Sequence, residues 1–111
     1  MDQAAKKIGV IRSRGLRKSE NPHEKHEALR DIIAAVLENI VSKPESTQVT
    51  YRLGDKTTVY EVETIPEDFG RLIGASGRTI SALRTLTLAM SFNLGFRAII
   101  EIKNEHRFFN K

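Results

Sequence analysis

The sequence predicts a single α+β domain, and three patterns along the chain support this fold class. A segment with helical period comes first, two short segments with strand alternation follow, and two helical segments then lead to a last strand. The 111 residues are enough for one domain but hardly for two. We expect the domain over residues 21–105, a flexible basic arm over residues 1–20, and a C-terminal tail over residues 106–111.

The stretch from residue 22 to residue 42 has the pattern of one amphipathic helix. Asn21 is a good N-cap, Pro22 suits the first helical position, and Glu24 lies near the positive end of the helix dipole. Apolar residues recur at the spacing of one helix face, so we expect them to face the core. They are Leu29, Ile32, Ile33, Val36, Leu37 and Ile40.

Two short strands joined by a Gly-Asp-Lys turn are expected next. In "TQVTYRL", Val49, Tyr51 and Leu53 alternate with polar residues and should face the same way. In "TTVYEVETI", Tyr60 and Val62 share one face of the second strand. The pair therefore predicts a hairpin with one apolar face.

The last third of the chain predicts two helices and a strand. Pro66 opens a short helix that ends before Gly74, and a longer helix runs from about Arg78 to Ser91. The apolar residues of the longer helix cover more than one stripe, so we expect it to be buried on two sides, between the sheet and a neighbouring helix. The strand "FRAIIEIK" follows and places on one face Ala98, Ile100 and Ile102.

Composition excludes several classes of function. The chain has no cysteine, so disulfides, cysteine-based zinc sites and thiol catalysis are excluded. Its apolar runs are short and interrupted by charges, so we expect no transmembrane helix and a cytoplasmic protein. His23 and His26 have His-x-x-His spacing, but no third metal ligand and no nucleophile–base set is evident. We therefore expect no metal, no cofactor and no enzymatic activity.

The basic charge of the chain is unevenly distributed. Residues 1–18 hold six basic side chains and one acidic one, while the remainder holds 12 basic and 13 acidic, so the net charge of +4 comes from the arm. The arm either adds nonspecific affinity for phosphates or is a solvated terminus. Residues 69–100 carry four arginines and no carboxylate, which favours an acidic partner for this segment.

A Gly-x-x-Gly pair lies inside that carboxylate-free segment. Residues 72–80 read "LIGASGRTI", with an apolar pair before the glycines, an isoleucine three residues after them, and a predicted helix on each side. Glycines remove the side chains that keep a phosphate away from the backbone, and a helix that begins at the turn directs its free N–H groups there. The candidate binding residues are Arg71, Ile73, Gly74, Ala75, Ser76, Gly77, Arg78, Thr79, Ile80 and Arg84.

Several of these candidates have a second interpretation. The isoleucines of the motif would form an apolar floor under the bases, or would be core residues only. Arg71 and Arg84 can reach phosphates, or are ordinary solvated charges. Arg78 lies at the unfavourable end of the helix dipole, which favours a function for it. Ser76 would cap the second helix or donate to a phosphate.

The motif and the element order resemble a type II KH domain, in which the Gly-x-x-Gly turn clamps about four nucleotides of single-stranded nucleic acid. The run "PEDFGRLIGASGRTISALRTL" is similar to the KhpA family of small bacterial KH proteins, and the similarity covers about residues 24–103. This resemblance implies a three-stranded mixed sheet with three helices packed on one face.

The resemblance also implies an RNA-binding protein without catalytic activity, which acts as an RNA chaperone or post-transcriptional regulator. Its partners would be single-stranded RNA and either a second copy or a KH protein of the KhpB/Jag type, with DNA as a less favoured ligand and no membrane partner. The middle residues of the turn, Ala75 and Ser76, are uncharged where relatives often have lysine or arginine. This departure leaves an alternative, a protein-interaction or dimerisation module with weak or no RNA binding.

Overall fold

The computed structural model describes residues 23–105, and the predicted order of helices and strands is confirmed. The predicted cap at Asn21 and Pro22, the arm and the tail lie outside the described residues. Three short 3-10 turns precede β1, α2 and α3. The main elements are α1 (Glu24–Glu38), β1 (Gln48–Leu53), β2 (Thr57–Glu63), α2 (Phe69–Ile73), α3 (Arg78–Leu94) and β3 (Arg97–Ile102).

The sheet is mixed, with the strand order β1-β2-β3. β1 and β2 are antiparallel with Tyr51 opposite Tyr60, and β2 and β3 are parallel with Tyr60 opposite Ile100. Alternate residues of β2 and β3 face the three helices and form one core with them, as the pattern predicted. The core members are Leu29, Ile33, Leu37, Tyr60, Val62, Leu72, Ile73, Ile80, Leu83, Ala98, Ile100 and Ile102.

The first helix is shorter than predicted, because it ends at Glu38 instead of residue 42. The backbone N–H groups of Ser42 and Lys43 donate to the carboxylate of Asp68, at 2.9 and 3.2 Å. Backbone groups that bond to a distant side chain are not available to a helix ladder. The chain therefore leaves the helix early to reach this carboxylate.

The prediction that the longer helix is buried on two sides is wrong. Its buried positions form one stripe, Ile80, Leu83, Thr87 and Ser91, while Leu86 is 58% exposed. The core face of α1 is also narrower than predicted, because Ile32 and Val36 are exposed instead of buried. No helix within residues 23–105 is both long enough and apolar enough to span a bilayer.

The open edge of β3 is partly closed by α3. Ser91 Oγ accepts a hydrogen bond from the backbone N–H of Ala98 at 3.1 Å. The Arg84 guanidinium donates twice to the carbonyl oxygen of Ile100, from Nε at 3.2 Å and from Nη2 at 3.0 Å. At the other edge of the sheet, Leu53, expected to share the face of Val49 and Tyr51, is exposed at the end of β1.

Candidate nucleic-acid interface

The Gly-x-x-Gly turn joins α2 to α3 with no intervening loop. Gly74, Ser76 and Gly77 all have positive φ, at 80°, 56° and 74°. The N–H of Gly77 donates to the carbonyl oxygen of Gly74 at 3.0 Å, and α3 begins at the next residue. The turn is therefore tight, and it leads directly into the N–H groups at the start of α3, which lack intrahelical acceptors.

The first glycine of the turn is packed against its own chain. A Cβ placed on Gly74 would lie 2.8 Å from the backbone nitrogen of Thr79 and would overlap the Thr79 side chain. Its ψ of 171° at a φ of 80° is a conformation that only glycine adopts readily. Gly74 is thus required for the turn to close.

The second glycine faces open space. Within the described part of the chain, no atom lies within 4 Å of a Cβ placed on Gly77. Ala75 and Ser76, between the two glycines, are both exposed. The outer side of the turn therefore presents backbone that no side chain of the described residues covers.

The other motif residues are divided between core and surface. Ile73 and Ile80 are 6% and 4% exposed and belong to the core beneath the turn. Thr79 is half-buried against Gly74. The N-cap of α3 is Gly77 and no side chain caps the helix, so Ser76 does not act as the cap.

The three candidate arginines have different surroundings. Arg78 is exposed at the first position of α3. Arg71 Nε lies 3.6 Å from Asp68 Oδ1 while 61% of its side chain is exposed. Arg84 is bound to the Ile100 carbonyl and its Nη2 lies 3.8 Å from Glu105 Oε1. Arg71 and Arg78 therefore flank the turn, whereas Arg84 is held beside β3.

Asp68 is a positioning residue that the sequence analysis missed. Its carboxylate is fully buried and accepts hydrogen bonds from the Ser42 N–H, the Ser42 hydroxyl (2.8 Å) and the Lys43 N–H. These bonds tie the segment after α1 to the start of α2, and so they fix the chain where it enters the turn. In the sequence, Asp68 lies in the segment where Pro66 opens a helix and carries no further signal, because its partners lie 25 and 26 residues earlier.

The environment of Asp68 favours the ionised form. Burial by itself would raise the pKa of this carboxyl, but the hydrogen bonds from Ser42 and Lys43 and the charge of Arg71 together outweigh it. The pKa of Asp68 is therefore below its ordinary value. A charged, fully bonded carboxylate at this point holds α2 in place at neutral pH.

Helix α3 separates two grooves. On one flank, Arg84 and Leu88 face residues 97–100 of β3 across a cavity of about 210 Å³. On the other flank, Leu86 and its neighbours face Val36 and Ile40 of α1 across about 330 Å³. The first groove runs along the free edge of the sheet beside two arginines, Arg84 and Arg97.

Similar proteins share this region of the chain. The chain is 36% identical over 75 residues to the RNA-binding protein KhpA of Aquifex aeolicus. The matched segment covers 68% of this chain and 95% of the relative. It is also 32% identical over 77 residues to the RNA-binding protein KhpA of Chlamydia pneumoniae, and that match covers 69% of this chain and 99% of the relative. Among solved structures, none matches.

The family model for the KH domain of KhpA and KhpB matches residues 30–102. The match spans most of the described fold, including the Gly-x-x-Gly turn, both of its flanking helices and all three strands. This chain therefore belongs to the KhpA/KhpB family of KH-domain proteins.

Proposed function

We propose that the chain binds single-stranded RNA by its sugar–phosphate backbone at the Gly-x-x-Gly turn, as an RNA chaperone or post-transcriptional regulator without catalytic activity. The relatives are named RNA-binding proteins, which supports RNA as the ligand. A KH turn of this kind clamps about four nucleotides.

The observation that carries the proposal is the open face at Gly77. Because no atom of residues 23–105 lies within 4 Å of a Cβ placed there, a phosphate can approach the backbone directly. The Arg78 N–H donates to the Ala75 carbonyl, and the next N–H groups in the first turn of the 17-residue helix α3, which lack intrahelical acceptors, would supply donors and the positive end of the helix dipole. Arg71 and Arg78 flank this position and would neutralise phosphates.

The remaining candidates support this grip indirectly. Gly74 and Thr79 keep the turn closed, and the buried isoleucines beneath it keep the turn rigid. The backbone between the glycines would contact RNA at Ala75 and Ser76. Arg84, bound to the Ile100 carbonyl, would act in the groove along β3 instead of at the clamped phosphates.

The test is a titration of the full chain with a fluorescently labelled eight-nucleotide single-stranded RNA. The double variant Ala75→Asp/Ser76→Asp places two negative charges on the exposed part of the turn. Affinity should fall at least tenfold, which corresponds to about 1.4 kcal/mol. The control Ala28→Asp/Ala35→Asp makes the same change in net charge at exposed positions of α1 and should bind as the wild type does.

Equal affinity of the turn variant and the wild type would contradict a grip at the turn. Absence of binding by the wild type would favour the alternative, a protein-interaction module. The deoxyribonucleotide of the same sequence, measured in parallel, determines whether the ligand is RNA or DNA.

We further propose that the chain pairs with a second copy, or with a KH protein of the KhpB/Jag type, through the groove between α1 and α3. Exposed apolar side chains on both helices support this, namely Leu86, Ile32 and Val36. Sedimentation over a range of protein concentrations would show self-association. A monomer at every concentration would exclude pairing with a second copy and leave the KH protein of the KhpB/Jag type as the partner. The cytoplasmic location remains a prediction.

A further inference from the structure

We infer that Phe92 is a stacking platform for a nucleobase beyond the nucleotides held at the turn. The inference rests on the proposed function and extends the same binding path along α3. It assigns a role to an aromatic residue that the described structure does not use for folding.

Phe92 lies near the end of α3 and is 60% exposed, the largest value among the exposed large hydrophobic side chains of residues 23–105. It belongs neither to the core nor to the partly buried residues packed against the core. An exposed ring contributes little to stability, but its face is a surface on which any base can stack.

Phe92 lies on α3 just beyond the residues that line the groove beside β3. Arg84 and Leu88 line that groove, and Phe92 follows them at the next four-residue step. Side chains of a helix lean towards its N-terminus, so the Phe92 ring extends towards the turn that carries Leu88. The three residues form one row, with the ring at the end far from the Gly-x-x-Gly turn.

The distance between Phe92 and the turn suits a longer RNA. Phe92 is 14 residues after Arg78, which is about 21 Å along the helix at 1.5 Å per residue. The turn itself holds about four nucleotides. A strand that leaves the turn along α3 would therefore reach the ring only with nucleotides beyond those four.

Charge along this path favours nucleic acid over an apolar protein partner. No carboxylate occurs between Phe69 and Ile100, and the groove carries Arg84 and Arg97. Of the nearest acidic residues in the following segment, Glu101 pairs with Arg52, and Glu105 lies 3.8 Å from Arg84 and partly offsets its charge, while Arg97 adds a second positive charge. A phosphate strand leaving the turn would thus meet cations and then an exposed ring.

The chain contains no tryptophan, so a single tryptophan reports on one position. In the full chain, Phe92→Trp places the reporter at the proposed platform. Ala28→Trp places it at an exposed position of α1 that lines neither groove beside α3. On titration with an eight-nucleotide adenylate RNA, stacking should quench the emission of F92W and leave that of A28W unchanged.

A second measurement uses RNA length. Phe92→Ala should weaken binding of the eight-nucleotide RNA about five- to tenfold, the lower part of the range for one stacked base, and leave a four-nucleotide RNA unaffected. Phe92→Tyr keeps a ring and should restore the eight-nucleotide affinity. The ring is exposed, so these variants should fold, and circular dichroism checks this.

Four outcomes would overturn the inference. These are RNA binding by F92W without quenching, equal quenching of F92W and A28W, an equal loss for short and long RNA in Phe92→Ala, or a change of oligomeric state in that variant. The last result would assign the ring to a protein contact. Failure of the wild type to bind either RNA would overturn the proposed function itself, and the inference with it.

Discussion

The two glycines of the turn have the same sign of φ but opposite surroundings. Gly74 is enclosed, because a Cβ there would overlap Thr79 and lie 2.8 Å from its backbone nitrogen. Gly77, three residues later, has no atom of residues 23–105 within 4 Å of the same position. The inner side of the turn is thus a packing site, and the outer side is a surface. One short motif therefore combines a requirement of the fold with the surface that we propose for RNA binding.

The largest effect on stability is expected for Gly74→Ala. The methyl group would be forced into a conformation that costs about 1–3 kcal/mol and into an overlap that costs about 1–3 kcal/mol more. We expect the free energy of unfolding to fall by about 3 kcal/mol or more, measured by urea denaturation.

Adding Thr79→Ala to Gly74→Ala separates the contact with the Thr79 side chain from the contact with the Thr79 backbone. The double variant removes the overlap with the threonine side chain but keeps the close approach to the Thr79 nitrogen, so it should recover only part of the loss. A Gly74→Ala protein as stable as the wild type would show that the inner side of the turn is not packed.

The role of Asp68 in holding the chain before the turn can be tested through the pH dependence of stability. Its pKa is lowered in the folded protein, so its stabilising effect is present above the pKa of the unfolded chain and is lost as the pH falls through the folded pKa. Asp68→Asn should therefore be less stable than the wild type at neutral pH. The difference in the free energy of unfolding should disappear in acid, as thermal or urea denaturation at several pH values would show.

The control for Asp68 is its neighbour Glu67, which is exposed. Glu67→Gln should follow the wild type across the pH range. A stability difference between Asp68→Asn and the wild type that persists unchanged at low pH would contradict a role for the ionised carboxylate.

The smallest expected change in stability is that of Gly77→Ala. The methyl group meets no atom, and the left-handed conformation at φ 74° costs a non-glycine residue about 1–2 kcal/mol. We expect a loss near the lower end of that range by urea denaturation. The same methyl group would lie where the RNA backbone approaches, so affinity for the eight-nucleotide RNA should fall as well. Unchanged affinity would separate Gly77 from the binding surface.

Much of the fold could be predicted because its signals are local. The alternation in β2 and β3 identified their buried faces correctly, whereas α3 continues to Leu94, three residues beyond its predicted end, before Gly95, with φ 99°, terminates it. The amphipathic pattern of α1 was also recognised. The burial of α3 could not be predicted from local signals. An apolar residue such as Leu86 can be buried, but the sequence does not show whether another element covers it.

The local geometry around the candidate site could be predicted in outline for the same reason. The glycine pair and the flanking arginines lie within a few residues of one another, so their proximity follows from the sequence. The buried Asp68 depends on Ser42 and Lys43, which only the tertiary fold brings near it. Likewise, the different roles of the two glycines depend on where the Thr79 side chain lies.

The bonds from α3 to β3 have a consequence for self-assembly. Ser91 and Arg84 occupy the Ala98 N–H and the Ile100 carbonyl, which are groups that a foreign strand would need to extend the sheet on that side. Indefinite edge-to-edge pairing of sheets requires two receptive edges on every molecule. Because the β3 edge is partly closed, pairing through β1 is favoured and stops at two molecules, so this arrangement disfavours fibre growth.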